Sequence, residues 1–78
     1  MTNKFDNINK KIGIRIRIER VKRQWSQSKL AEVADLSETY IGNVERGESS
    51  PSIDTLAKIA DAFGIVLHDL TDITKVDF

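Results

Sequence analysis

The chain has 78 residues, no cysteine and one histidine, His68, which makes it the size of one domain and leaves no disulfide, no zinc thiolate and no expected metal or cofactor. No apolar run approaches the roughly 20 residues of a membrane span and no signal peptide is evident, so a cytoplasmic protein without a membrane partner is expected. The net charge is zero, yet residues 1–30 carry +7 and residues 31–78 carry −7, an asymmetry that indicates either nucleic-acid contact or a solvated basic helix.

The first predicted helix runs from about Asn7 to Arg23, after a polar arm at residues 1–6. Its apolar residues recur at helical spacing, with the arginines on the opposite side: Ile8, Ile12, Ile16 and, less regularly, Ile18, Val21 and Trp25. Residues 14–18 alternate as a strand would, but a lone strand has no partner for pairing, so the helix is preferred. Basic side chains on this helix either reach phosphates or form a solvated face: Arg15, Arg17 and Arg23.

Two short helices joined by a tight turn are predicted next. Ser26 is the expected N-cap of a helix over 27–34, because a serine hydroxyl accepts a backbone N–H of the first turn. Residues 35–37 form the turn, and its serine caps a third helix over 38–46 that Gly47 ends. This arrangement is the one that inserts a recognition helix into the major groove of DNA.

The remaining residues predict two more helices and a tail. Ser52 caps a fourth helix that Gly64 ends, and a short helix around 68–72 places Leu67 and Leu70 inward. The apolar tail residues suggest a partner surface, since so small a chain does not leave them bare: Ile73, Val76 and Phe78. The expected fold is all-α, a compact five-helix bundle with its helix-turn-helix domain at 12–70. Residues 1–11 form a flexible arm and the start of helix one, and 71–78 form a tail that is a candidate dimer contact.

Many residues of one family's motif occur in order: Ser26-Gln27, Leu30-Ala31, Leu36-Ser37, Ile41, Val44-Glu45-Arg46-Gly47, Pro51-Ser52-Ile53, Thr55-Leu56, Ile59-Ala60 and Ala62-Phe63-Gly64. This pattern resembles the Xre/Cro–C1 helix-turn-helix family, whose fold is that of the lambda-repressor DNA-binding domain. Residues 39–41 leading to 45–47 are most similar to restriction–modification controller proteins. The chain departs from the family at Asp35 and Gln24, where glycine is common, and at Val66, where a serine often caps the last helix.

The resemblance implies site residues of three kinds. Base contacts are expected on the outward face of the third helix: Glu38, Thr39 and Asn43. Phosphate contacts are expected at four other positions: Gln27, Ser28, Tyr40 and Arg46. Arg20 and Glu45 are expected to form a structural ion pair that joins the recognition helix to helix one.

Several of these residues have alternative interpretations. Glu38 either accepts from a cytosine amino group or faces solvent, and Asn43 is able to pair bidentately with adenine. Tyr40 either donates to phosphate or packs on a neighbouring helix. Trp25 and Phe63 fall where the apolar stripes converge, which favours a core role for both.

The main functional hypothesis is a sequence-specific transcription regulator that binds a near-palindromic operator in double-stranded DNA as a homodimer. The alternative is an antitoxin-type protein-interaction module in which DNA binding serves autoregulation. An enzyme is disfavoured, because the chain lacks cysteine, has one histidine and has no phosphate-cradling glycine loop, so no catalytic residue is assigned. No small-molecule ligand is evident.

Overall fold

The computed structural model describes the backbone of residues 4–76 and the side chains of residues 7–76. Within that range every regular segment is helical: α1 (Lys4–Lys22), α2 (Gln27–Ala34), α3 (Glu38–Glu45), α4 (Ile53–Phe63), α5 (Leu67–Leu70) and a 3-10 helix (Ile73–Lys75). The prediction of an all-α bundle with five α-helices is confirmed. No helix in this range is both long enough and apolar enough to span a membrane.

The helix bounds differ from the predicted ones mainly at the two ends of the chain. Helix α1 begins at Lys4, so residues 4–6 are helical and do not belong to an irregular arm, whereas residues 1–3 lie outside the described range. Helix α2 has the predicted bounds, and α3 ends one residue early with Arg46 as its C-cap. The last α-helix is shorter than expected, and the 3-10 helix after it was not predicted.

Side-chain caps explain where the central helices begin. The hydroxyl oxygens of Ser26, Ser37 and Ser52 each accept a backbone N–H three residues further on, at 2.9, 3.0 and 3.1 Å. Each bond satisfies a donor that has no partner within its helix. The three predicted N-caps are therefore confirmed, and Val66, which makes no side-chain cap, begins α5 without one.

The ends of α2 and α4 depend on left-handed backbone. Gly64 follows α4 with φ +73°, and Asp35 follows α2 with φ +58°. Aspartate tolerates this conformation better than most residues other than glycine, which explains how the turn forms here without the usual glycine. The turn then returns the chain at the angle that places α3 across α2.

The core lies where α1, α2, α3 and α4 meet. Its buried apolar side chains come from every α-helix: Ile16, Leu30, Ala31, Ala34, Ile41, Val44, Leu56, Ile59, Ala60, Phe63 and Leu70. Trp25 packs against this cluster, with its ring stacked on Phe63 at a centroid distance of 5.8 Å. Ala31 is almost fully buried between helices, as expected for a position where α2 and α3 approach closely.

Some apolar residues are placed differently from the expectation. Val76 is buried and Ile73 half-buried, because the 3-10 helix folds the tail back onto α1, so α1 covers Val76 within the chain; a dimer contact at 71–78 stays a prediction. Phe78 lies outside the described residues. On α1, Ile18 and Val21 are exposed, whereas the core receives Ile16 and, in part, Ile12.

Candidate nucleic-acid interface

An ion pair joins α3 to α1. Nε of Arg20 donates to Oε2 of Glu45 at 2.6 Å, and a second guanidinium nitrogen donates to Oε1 at 3.0 Å. The Glu45 side chain is only 3% exposed. The structure thus brings together the two residues expected to pair, in the bidentate geometry that makes an arginine–carboxylate contact strong and directional.

The Glu45 carboxylate also accepts a hydrogen bond from helix α2. Nε2 of Gln27 donates to Oε1 of Glu45 at 3.1 Å, and the remaining guanidinium nitrogen of Arg20 donates to the Trp25 carbonyl at 2.8 Å. Glu45 therefore ties α1, α2 and α3 at one point. Since an amide nitrogen carries two hydrogens, Gln27 keeps a second donor beyond the bond to Glu45.

The residues expected to contact bases lie on α3. Glu38 and Thr39 are exposed, and Asn43, one helical turn after Thr39, is half-buried. Ser28, at the start of α2, is exposed as well. The Tyr40 ring, by contrast, is half-buried and packs against the core, which favours the packing interpretation for the ring.

Arg46 lies at the C-terminal end of α3, with its side chain more than half exposed. Its Nε donates to Oε1 of Glu48 at 3.1 Å, and a terminal nitrogen donates to Oδ1 of Asn43 at 2.6 Å. Arg46, an expected phosphate contact, is therefore bonded to Asn43, an expected base contact.

Two of the arginines on α1 do not face solvent, contrary to the expectation. Arg15 is only 3% exposed; it donates to Glu19 at 2.9 Å and to the Asp69 carbonyl at 3.0 Å. Arg23 donates to Glu19 at 2.7 Å and to the Phe63 carbonyl at 2.9 Å. Both guanidinium groups thus join α1 to the ends of α4 and α5.

Glu19 is the centre of this buried cluster, and the sequence reasoning did not single it out. Burial raises the pKa of Glu19, but hydrogen bonds from Arg23, Arg15 and Lys22 outweigh that effect and lower the pKa to about 2. A signal was present in the sequence, because Arg15 and Arg23 both lie four residues from Glu19 on a helix.

Gly13 is a second residue that the sequence reasoning missed. It is buried on α1 where that helix faces the C-terminal end of α3, and it leaves room for the α3 backbone. An isolated glycine inside a helical pattern is itself a signal of close packing. Helix α3 is therefore held both by an ion pair and by direct backbone contact.

A short helix with an exposed polar face, supported by a second helix across a tight turn, defines a helix-turn-helix DNA-binding domain. The sequence pattern of the helix-turn-helix family HTH_3 matches residues 16–70. The chain belongs to this family, and it is a transcription regulator with a helix-turn-helix DNA-binding domain.

Known proteins resemble the chain over different lengths. The control protein C.BamHI of Bacillus amyloliquefaciens is 42% identical over 77 residues, which are 97% of this chain and 91% of that protein. The immunity repressor of Bacillus phage phi105 is 43% identical over 54 residues, 69% of this chain but 38% of the repressor. Among solved structures, the restriction-modification controller protein C.AhdI of Aeromonas hydrophila has a TM-score of 0.78 and 35% identity over 80% of this chain and 94% of that chain. The expected similarity to controller proteins is confirmed.

Proposed function

We propose that the chain is a controller-type regulator that binds a near-palindromic operator as a homodimer, with α3 in the major groove. The observation that carries the proposal is the geometry of α3. Glu38 and Thr39 extend from its exposed face, while Glu45 on its other side is fixed to Arg20 by two hydrogen bonds. A rigidly held helix with a free polar face is suited to reading base edges.

The polar groups near α3 divide into two roles. Glu38, Thr39 and Asn43 contact base edges, because Glu38 and Thr39 are exposed at the start of α3 and Asn43 lies one helical turn after Thr39. Gln27 and Ser28 hold the register from the start of α2, where unpaired backbone N–H groups also favour a phosphate oxygen. Arg46 and the hydroxyl of Tyr40 add phosphate contacts at the edges of the same surface.

The proposed dimer contact includes Val66 at the start of α5. Its side chain is 68% exposed, although it is apolar and lies outside α2 and α3. Ile53 is similarly exposed, at 67%, but it begins α4 directly after the loop that follows α3. A contact at Val66 leaves the recognition helices of both protomers free for DNA.

Selection of bound sequences from random duplex DNA tests the proposed function. We expect an enriched motif of two inverted half-sites whose centres lie about one helical turn apart, bound by two chains. The affinity should fall with salt, with a log–log slope of about −0.9 for each phosphate neutralised. Failure to enrich a motif, together with affinity that does not depend on salt, would contradict the proposal.

Sedimentation equilibrium tests the dimer contact separately. Val66→Glu should shift the protein to a monomer at micromolar concentration, since it places a charge in the apolar contact. Ile53→Glu is the matched control, because it adds the same charge at an equally exposed apolar position, and it should remain dimeric. A parent chain that is monomeric both alone and on DNA would refute the homodimer.

A further inference from the structure

We propose that Arg46 determines which base Asn43 selects, by holding the Asn43 amide so that its NH2 group faces the DNA. Asn43 then acts as a hydrogen-bond donor and prefers guanine to adenine. This inference rests on the proposed function, since it requires that Asn43 contacts a base. It replaces the bidentate adenine pairing that an unconstrained asparagine is able to make.

The orientation of the amide follows from the chemistry of its partner. A guanidinium group has only donors, so the atom of Asn43 that faces Arg46 at 2.6 Å is the carbonyl oxygen Oδ1. Arg46 lies three residues after Asn43, and Oδ1 is therefore drawn toward the C-terminal end of α3. The NH2 group on the other side of the amide then points away from Arg46, with both of its hydrogens unused by this contact.

Two neighbouring residues, Glu48 and Gly42, also affect the position of the Arg46 guanidinium. Its Nε donates to the exposed Glu48 carboxylate at 3.1 Å, so the guanidinium bonds to Glu48 as well as to Asn43. A Cβ atom on Gly42 would lie 3.1 Å from a terminal nitrogen of Arg46, which is closer than ordinary van der Waals contact. The absence of a side chain at Gly42 therefore makes room for the guanidinium along α3.

The consequence for base selection follows from the major-groove edges. Adenine presents an acceptor at N7 and a donor at N6, so it forms two hydrogen bonds with an amide that offers both its oxygen and its nitrogen. Guanine presents acceptors at both N7 and O6, and it suits a group that only donates. Oδ1 keeps a second lone pair, but because it is turned toward Arg46 and only the NH2 group is left to face the DNA, Asn43 matches the guanine edge better than the adenine edge.

The experiment begins with the operator selected from random DNA. Asn43→Ala identifies the base pair at which discrimination is lost, and binding is then measured on duplexes carrying guanine or adenine there. The parent should prefer guanine by about tenfold. Replacing that guanine with 7-deazaguanine, which lacks the N7 acceptor, should weaken the parent but have little effect on Asn43→Ala.

Arg46→Ala provides the decisive comparison. It should weaken binding to every duplex through the lost cation, yet also reduce the guanine-to-adenine ratio to about twofold or less, because Oδ1 becomes free to accept from adenine N6. Gly42→Ala, which would displace the guanidinium by a few tenths of an ångström, should change the ratio in the same direction but by less than Arg46→Ala. Lys58→Ala is the control, since it removes an exposed cation of α4 and leaves the bond between Arg46 and Asn43, and it should keep the guanine preference.

The outcomes separate this inference from the proposed function. If Asn43→Ala alters discrimination at no base pair, the base-reading role of α3 fails, and this inference fails with it. If Asn43→Ala identifies a base pair at which the parent prefers adenine, or if Arg46→Ala leaves the ratio unchanged, only the role of Arg46 is overturned.

Discussion

A Cβ atom on Gly13 of α1 would lie 2.4 Å from the carbonyl oxygen of Val44, near the end of α3. Real Cβ atoms essentially never come so close to a backbone oxygen, so the two helices would have to separate to admit any other residue. Gly13 therefore sets the distance between the recognition helix and the helix that supports it.

Gly13→Ala should destabilise the protein by about 1–3 kcal/mol, because the crowding with the α3 backbone cannot be relieved by a side-chain rotation. The sign is informative, since alanine inside an exposed helix would stabilise by about 1 kcal/mol relative to glycine. Urea unfolding measures the difference, with Lys58→Ala on the exposed surface of α4 as the control. A more stable Gly13→Ala variant would show that α1 and α3 do not approach this closely.

Glu45→Ala should destabilise the protein by about 3–5 kcal/mol, since it leaves the guanidinium of Arg20 partly buried without its carboxylate. The double variant Arg20→Ala, Glu45→Ala should lose less than the sum of the single variants, because no unpaired charge remains. Thermal or urea unfolding decides the result. Glu48→Ala removes an exposed carboxylate and serves as the control; equal stability of Glu45→Ala and the parent would contradict the prediction.

The stability should depend on acid through Glu19. Because the pKa of Glu19 falls from 4.5 to about 2 on folding, its stabilising effect is complete above pH 4.5 and is lost as the pH falls toward 2. The whole shift corresponds to about 3 kcal/mol. Glu19→Gln should lower the free energy of unfolding at pH 7 and flatten its decline between about pH 5 and pH 2. Parallel curves for the variant and the parent would show that other carboxylates control acid unfolding.

Base reading and backbone anchoring should respond differently to substitution. Asn43→Ala should cost about 1–3 kcal/mol on the selected operator and much less on scrambled DNA, because it removes a contact to one base edge. Gln27→Ala should weaken both duplexes by similar factors, since phosphates are uniform along the helix. Both are measured by titration at one salt concentration. Equal losses on the two duplexes for Asn43→Ala would mean that this residue does not read sequence.

Variants of Glu38 distinguish two roles for its carboxylate, a base contact and a charge that repels phosphate. If its carboxylate accepts from a cytosine amino group, as we propose, Glu38→Ala should lose discrimination at one base pair in each half-site. Glu38→Gln is the matched variant, because it keeps the acceptor oxygen but removes the charge, and it should retain part of the discrimination. A uniform rise in affinity on every sequence would instead show that Glu38 only repels phosphate.

Much of the fold follows from short-range features of the sequence. The serine caps and the left-handed residues Asp35 and Gly64 depend on neighbours within a few positions, so spacing was sufficient to predict α2, α3 and α4. The pairing of Arg20 with Glu45 is different, because it spans 25 residues and was expected only from the resemblance to a family.

Only the tertiary structure decided which distant carbonyls Arg15 and Arg23 contact. The sequence predicts that Arg15 and Arg23 face solvent or reach phosphates. In the structure, Arg15 donates to the carbonyl of Asp69, 54 residues away, and Arg23 donates to the carbonyl of Phe63, 40 residues away. The periodicity of a sequence predicts which residues share one face of a helix. It does not predict which backbone carbonyls of other helices will lie against that face. A carbonyl at a helix end has no partner within its own helix, and Arg15 and Arg23 supply a donor only once α4 and α5 have packed against α1.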